Sequence, residues 1–175
     1  NFASLNQATT GKKGLFGGDH IATDYFSKKP DNATELPPGD ISTLVDKTSY
    51  YKNTEGTVYT LTNTGPFVGS KTLYIEGDVY ISNNIEYAPW GATIDDIPNF
   101  RLFVKGNIYI APGVTRIDGM LVAQPTNASG NNGTISTCAN ADGGNANPAE
   151  LTTTATGIKV GDGGDCSTQL VINGA

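Results

Sequence analysis

Charge is sparse in this sequence, and it is mainly acidic. Charged residues make up 16%, with 11 Lys or Arg against 17 Asp or Glu, which gives a net charge of −6. The densest basic sites are two lysine pairs, Lys12-Lys13 and Lys28-Lys29. Because binding to phosphates needs a concentrated basic surface, the composition argues against a nucleic-acid partner.

Long apolar runs are missing as well. No stretch of the chain approaches the roughly 20 residues that a helix needs to cross a bilayer, so we expect no membrane span in this chain. No charged-then-apolar leader follows Asn1. A start at Asn1 without Met is typical of a mature or trimmed protein, and we expect any signal or anchor to have been removed upstream.

Metal-ligating residues are also few. The chain has two cysteines and one histidine, His20, which do not make a four-ligand zinc site. We expect no metal and no cofactor. Cys138 and Cys166 are either a pair of free thiols or a disulfide, and we predict the disulfide. It would close a loop of about 29 residues and stabilise the fold by roughly 3–4 kcal/mol in the chain-entropy model.

What the chain has in abundance is glycine, with 22 residues, together with Thr, Ser and Asn. This composition is common in extracellular β-proteins, where turns and hydroxyl-bearing strand faces replace charged helix surfaces. A length of 175 residues suits a single domain, 1–175. We interpret 1–56 as an irregular capping segment, with one short helix at Ile41–Val45 and Asp40 as its N-cap. Strands predominate over 57–175, with long loops between them.

The most informative feature is a repeat. Leu73-Tyr-Ile-Glu-Gly-Asp-Val-Tyr-Ile81 is matched class by class by Leu102-Phe-Val-Lys-Gly-Asn-Ile-Tyr-Ile110. A third, partial copy begins at Leu170, and Gly119–Ala123 holds a further short apolar strand. Each copy alternates apolar and polar positions around a central glycine, which allows a corner. One copy cannot bury its own apolar face, so stacked copies predict an all-β solenoid; the alternative is a β-sandwich.

The two copies, followed by Arg116-Ile-Asp-Gly-Met-Leu-Val-Ala123, resemble right-handed parallel β-helix regions of bacterial surface proteins. These include pilus-associated and adhesin-like proteins and, more loosely, the polymer-forming bactofilin solenoids. The resemblance covers about 57–175. It implies an elongated scaffold on a cell surface or in a filament.

The candidate ligand-binding residues lie between the two copies: Tyr87, Trp90, Asp95 and Asp96. Aromatic rings stack on sugar faces, and carboxylates bind hydroxyls or supply acid and base groups, so this pattern is typical of a glycan site. The alternative is a solvent-exposed loop anchored by one tryptophan. Arg101, Lys105, Arg116 and Asp118 are further candidates. His20, with two nearby aspartates, is most simply a loop histidine.

These observations favour a non-enzymatic, extracellular structural or adhesive module of a cell surface or pilus-like filament. The alternative is a carbohydrate-binding or polysaccharide-cleaving β-helix protein, a lyase or hydrolase. The chain stops at Ala175 within a repeat copy, which would leave backbone donors and acceptors open to a further strand. We therefore expect the native protein to continue, or to self-assemble through the open C-terminal strand edge; a glycan is the other expected partner.

Overall fold

The computed structural model describes residues 25–126, 132–140, 152–153, 159–160 and 169–174. Within them the protein is all-β, with mostly parallel pairing and three short 3₁₀ helices, at Phe26–Lys28, Ile41–Thr43 and Ile94–Asp96. None of these helices is long and apolar enough to cross a membrane. The strands are β1 (Thr34–Glu35), β2 (Thr48–Leu61), β3 (Ser70–Ile81), β4 (Asn99–Lys105), β5 (Ile108–Ile110), β6 (Arg116–Asp118), β7 (Met120–Gln124), β8 (Ile135–Ser136), β9 (Ala139–Asn140), β10 (Thr152–Thr153), β11 (Lys159–Val160) and β12 (Val171–Asn173).

The largest sheet is parallel throughout and contains both copies of the repeat. Its order is β1-β2-β3-β4-β7, with β5 and β8 continuing the second half of β3. Leu73 pairs with Leu102, and Val79 pairs with Ile108. The two copies therefore lie on each other in the register that their sequences predict. This parallel pairing is not that of an antiparallel β-sandwich.

The alternation within each strand places apolar side chains on the inner face of this sheet. Leu73, Ile75, Leu102 and Val104 are completely buried, as are Val79, Ile81 and Ile108 in the second half of the repeat. Each buried aliphatic side chain contributes roughly 1.5–3 kcal/mol. Because successive strands are in register, these side chains form continuous apolar columns through the protein.

A second, smaller set of parallel pairs lies elsewhere around the same core. β6 pairs with β12, and isolated parallel bridges join Ile85 to Ile117 and Phe67 to Tyr87. Phe67, Ile85 and Ile117 are fully buried in the cluster that also contains the inner face of the large sheet. A separate antiparallel sheet of order β10-β11-β9 completes the described strands.

The first strands begin earlier than the sequence pattern predicts. β2 starts at Thr48, so the predicted boundary between an irregular segment 1–56 and a strand region from 57 is too late. The sequence pattern does not predict this strand because its first half is mostly polar, and within 48–54 only the Tyr50 side chain is buried. The predicted N-cap is confirmed: Asp40 accepts a hydrogen bond from the Ser42 N–H at 2.8 Å. The helix that it caps ends at Thr43, within the predicted Ile41–Val45.

The partial copy predicted from Leu170 does not stack on the other two. Val171–Asn173 pairs with Arg116–Asp118 in the smaller set, so placing it in the repeat column is wrong. The strand that stacks on β4 is β7, where Leu102 pairs with Leu121. The short Leu-x-Ile match does not predict the stacking partner of β4. The strand that directly follows Gly119, β7, takes that position.

Candidate functional site

Tyr87 is tied into the core. Its ring lies 5.9 Å from that of Phe67, and its hydroxyl accepts a hydrogen bond from the Phe100 N–H at 2.8 Å. Its own N–H donates to Asp118 Oδ2 at 2.8 Å. Burial raises the pKa of Tyr87, although the hydrogen bond from Phe100 opposes the rise. A tyrosine with these contacts orders the chain between β3 and β4.

The other three predicted residues lie on the surface of the same connection. Trp90 is 56% exposed, and Asp95 and Asp96 are exposed members of the 3₁₀ helix Ile94–Asp96. Asp96 Oδ2 accepts a hydrogen bond from the Thr93 hydroxyl at 2.8 Å, which closes the turn. The structure thus separates the four by role, since Tyr87 and Asp96 hold the loop while Trp90 and Asp95 face solvent.

Asp118 is the one buried carboxylate among the residues that the structure describes. It is 2% exposed and accepts hydrogen bonds from Arg116 Nε at 2.9 Å and Asn173 Nδ2 at 2.8 Å, besides the one from the Tyr87 N–H. Burial alone would raise the pKa of Asp118, but these hydrogen bonds outweigh it and lower the pKa below its usual value. Asp118 therefore joins β6, β12 and the β3–β4 connection.

A second polar cluster lies on the outer face of the large sheet. Lys105 Nζ is 3.0 Å from Glu76 Oε1, and the Tyr51 hydroxyl donates to Glu76 Oε2 at 3.0 Å. The hydrogen bond from Lys105 lowers the pKa of Glu76. These residues occupy neighbouring positions on β2, β3 and β4, so the cluster is a lateral brace between strands.

The corners between strand halves carry aligned Gly-Asx steps. Gly77 has φ of +125° and Gly106 has φ of +156°, as the central glycine of each copy predicts. Asp78 Oδ1 accepts from the Asn107 N–H at 2.8 Å, and Asn107 Oδ1 accepts from the Thr134 N–H at 3.1 Å. The Asx side chain at each corner thus accepts a hydrogen bond from the backbone of the next layer.

Lys71 is an unexpected member of the core. It is 1% exposed, its ammonium donates to the Val68 carbonyl at 2.7 Å, and it lies 4.3 Å from the centre of the Phe67 ring. Among the described residues no carboxylate lies within 4.0 Å of it. Burial lowers the pKa of Lys71, although Asp46 and Asp40 oppose the fall.

Metal-binding geometry is missing from the part of the chain that the structure covers, where no three His, Cys, Asp or Glu side chains come together. His20 and Cys166 lie outside the described residues. The predicted disulfide therefore stays a prediction. Cys138 itself lies just before β9 in a left-handed backbone conformation, with φ of +60°.

Comparison with known proteins gave no family model, curated protein or solved structure that matches this chain. Sequence reasoning missed Lys71 as a core residue, because lysine is almost never fully buried. It also missed the ring stack of Tyr25, Tyr74 and Phe103 on the outer face, for which the aromatic position shared by both copies was the available signal.

Proposed function

We propose that this protein is a right-handed parallel β-helix that serves as a non-enzymatic structural or adhesive module of a bacterial cell surface or pilus-like filament. The observation that carries the proposal is the in-register, parallel stacking of the two repeat copies. Stacked copies build a rigid rod whose outer faces and loops are free to contact partners. The extracellular location rests on the composition and on the predicted disulfide.

The order in which the chain visits its sheets supports the helical winding. The chain runs from β3 in the large sheet to Ile85 in the smaller set, and back to β4. It then passes from β5 to Ile117 in β6, and back to the large sheet at β7. Repeated returns in one direction are the path of a coil, and parallel crossovers in a sheet are right-handed in about 98% of cases.

The two ends of the stack differ in a way that bears on partners. At the N-terminal end, β1 is only two residues long, and Leu36, which follows it, is completely buried. Pro37 and Pro38 come next, and the Tyr59 hydroxyl donates to the Pro37 carbonyl at 2.9 Å. A short edge followed by prolines blocks the addition of another strand.

The C-terminal end of the described stack is open instead. Within the residues that the structure covers, no further strand pairs with the outer edges of β7, β8 and β12. Three large aliphatic side chains on these last strands are exposed: Ile135 at 43%, Val171 at 45% and Ile172 at 46%. An apolar open edge of this kind favours association with another strand or another copy.

With the N-terminal end of the described stack blocked and its C-terminal end open, two copies would meet through their C-terminal ends. Such a contact is isologous and closes after two chains. The proposal therefore predicts pairs of this chain rather than long filaments, unless another protein supplies a second surface.

Light scattering coupled to sizing chromatography, with negative-stain electron microscopy of the same fractions, tests the open end. We expect the mass to rise from one chain to two as concentration increases. Ile135→Glu and Val171→Glu should keep the protein monomeric, while Ile94→Glu, at an 81% exposed position on the β3–β4 connection, should associate like the wild type. A monomer at every concentration, or filaments of many copies, would contradict this part of the proposal.

The exposed indole of Trp90 favours a second candidate function, the binding or cleavage of a glycan. A screen of polysaccharides for shortened products, with Asp95→Asn and Asp96→Asn as variants, separates binding from cleavage. Cleavage that both variants lose supports an enzyme. If the wild type forms no shortened product, cleavage is excluded. Retention of the wild type on an immobilised glycan then indicates binding alone.

A further inference from the structure

A cavity of about 810 Å³ lies beside the first residues of β4 and β7, where the end of β12 also reaches. Its lining comes from separate parts of the chain, including Tyr25, residues 97–101 at the start of β4, and Ile172–Gly174. The volume falls within the 300–1,000 Å³ range of small-molecule sites. The predicted loop residues Trp90, Asp95 and Asp96 do not line it.

One wall of this cavity is aromatic and apolar. Tyr25 is 43% exposed, and its ring stacks on that of Phe103 with 5.8 Å between centres and 12° between planes. Phe103 stacks in turn on Tyr74 at 5.1 Å. Because one face of the Tyr25 ring is held in this way, the exposed part is a flat platform of fixed orientation. Ile97, 42% exposed, and Ile172, 46% exposed, add aliphatic surface.

The polar part of the lining contains a guanidinium without a counter-ion. Arg101 is exposed, and over the described ranges no carboxylate lies within 4.0 Å of it, whereas Arg116 is paired with Asp118. These are the only two arginines of the chain. The side-chain amide of Asn99 likewise makes no hydrogen bond to any other described residue.

The charge of Arg101 acts across the cavity. It opposes the burial that raises the pKa of Tyr87, which lines the cavity, and of Tyr74, which lies behind Phe103 in the ring stack. The nearby buried carboxylate, Asp118, is already neutralised by its own partners. Arg101, which has no carboxylate partner among the described residues, can therefore attract one carboxylate of a ligand.

We propose that this cavity binds a uronic acid unit of an oligosaccharide. Arg101 would take the sugar carboxylate in a two-pronged hydrogen bond, which its planar fork suits better than a lysine would. The Tyr25 ring would contact the apolar face of the sugar, and the Asn99 amide can donate to and accept from its hydroxyls. The site goes beyond the scaffold role. Because Ile172 lies both in the cavity and on the open C-terminal end, binding is measured at a concentration at which the protein is a single chain.

An acidic peptide fits these features less well than a sugar does. A glutamate side chain offers a carboxylate, but neither a flat apolar face for the Tyr25 ring nor hydroxyls for the Asn99 amide. A flat ring beside an amide matches the alternation of apolar face and hydroxyl edge in a pyranose. We therefore take triglutamate as a competing ligand in the test.

The experiment is calorimetric or NMR titration of the full chain with trigalacturonate, beside its methyl ester, which lacks the charge. We expect trigalacturonate to bind, and the ester to bind at least tenfold more weakly. Arg101→Gln should weaken binding of the acid at least tenfold, Arg101→Lys less, and Tyr25→Ala several-fold. Lys47→Gln, which removes a charge from an exposed lysine outside the cavity, should bind like the wild type.

Circular dichroism melting of each variant shows that it has folded. No binding of trigalacturonate to the wild type, equal binding by Arg101→Gln, or tighter binding of triglutamate would each overturn the proposal. The mass of the protein, measured on the same samples, reports on association separately, so failure of either proposal is recognised independently of the other.

Discussion

Replacing Gly77 with alanine perturbs the corner at the centre of the first repeat copy. The residue has φ of +125°, a conformation that costs an L-residue about 1–3 kcal/mol. A methyl group placed there would also lie 2.4 Å from Thr54 Oγ1 and 2.9 Å from the Thr54 carbonyl carbon. Displacing packed atoms typically costs a further 1–3 kcal/mol. We therefore expect Gly77→Ala to lower the free energy of unfolding by at least about 2 kcal/mol.

Two other glycines separate these contributions. Gly39 has φ of +119° but no atom within 4 Å of the added methyl group, so Gly39→Ala should cost only the conformational part, about 1–3 kcal/mol. Gly65 has neither a positive φ nor a close neighbour. Gly65→Ala should leave the stability unchanged or raise it by about 0.4–1 kcal/mol, through the lower entropy of the unfolded chain.

Urea unfolding followed by intrinsic fluorescence measures all three variants under one set of conditions. The excess cost of Gly77→Ala over Gly39→Ala reports how closely the neighbouring layers approach at the corner. Equal costs for these two variants would refute the close stacking of β2 and β3 at this corner, even if both variants were less stable than the wild type.

Three further predictions concern single side chains. Lys71→Met should be neutral or stabilising by about 1–4 kcal/mol in thermal or urea unfolding, because it removes a buried charge. This gain in stability should shrink as pH rises toward the usual lysine pKa, since the unfolded wild type there binds more protons than the folded wild type. A gain that is constant with pH would count against a buried ammonium. Asp118→Asn should destabilise the protein by about 1–3 kcal/mol at pH 7 by weakening the hydrogen bonds from Arg116, Asn173 and the Tyr87 N–H. Because the folded pKa of Asp118 is lowered, the difference in stability between variant and wild type should disappear as pH falls below the usual aspartate value. A difference in stability that persists at low pH would exclude this cause. The denatured, non-reduced protein should show no reactive thiol in a colorimetric assay if Cys138 and Cys166 are joined, whereas two thiols per chain would disprove the disulfide.

The sequence alone could predict the layer that holds the repeat. Alternation places Leu73 and Leu102 on the same face, and the shared glycine marks the corner, so register and turn follow from local pattern. The first half of β2 could not be predicted, because its backbone hydrogen bonds depend on pairing with β3 rather than on apolar residues of its own. A strand stabilised mainly by its neighbours carries little signal in its own sequence.

The candidate sites were less predictable for a related reason. Tyr87, Trp90, Asp95 and Asp96 share one stretch of sequence, yet their roles differ through contacts with distant residues such as Phe100. The cavity beside Arg101 joins segments that are far apart in the chain, and only the stacking brings them together. Sequence patterns report local periodicity, whereas a site assembled across layers depends on the tertiary fold.

Cysteine pairs on the outer face test the order and register of the parallel strands most directly. Ser49 pairs with Thr72, and Thr72 pairs with Arg101, on three successive strands. Neighbouring strands lie about 4.8 Å apart, within the reach of a disulfide, whereas strands two apart lie roughly 9.6 Å apart, beyond it. After mild oxidation and peptide mapping by mass spectrometry, we expect Ser49→Cys with Thr72→Cys, and Thr72→Cys with Arg101→Cys, to form crosslinks. Ser49→Cys with Arg101→Cys should not, and a crosslink there, or none in the adjacent pairs, would contradict the stacked parallel fold.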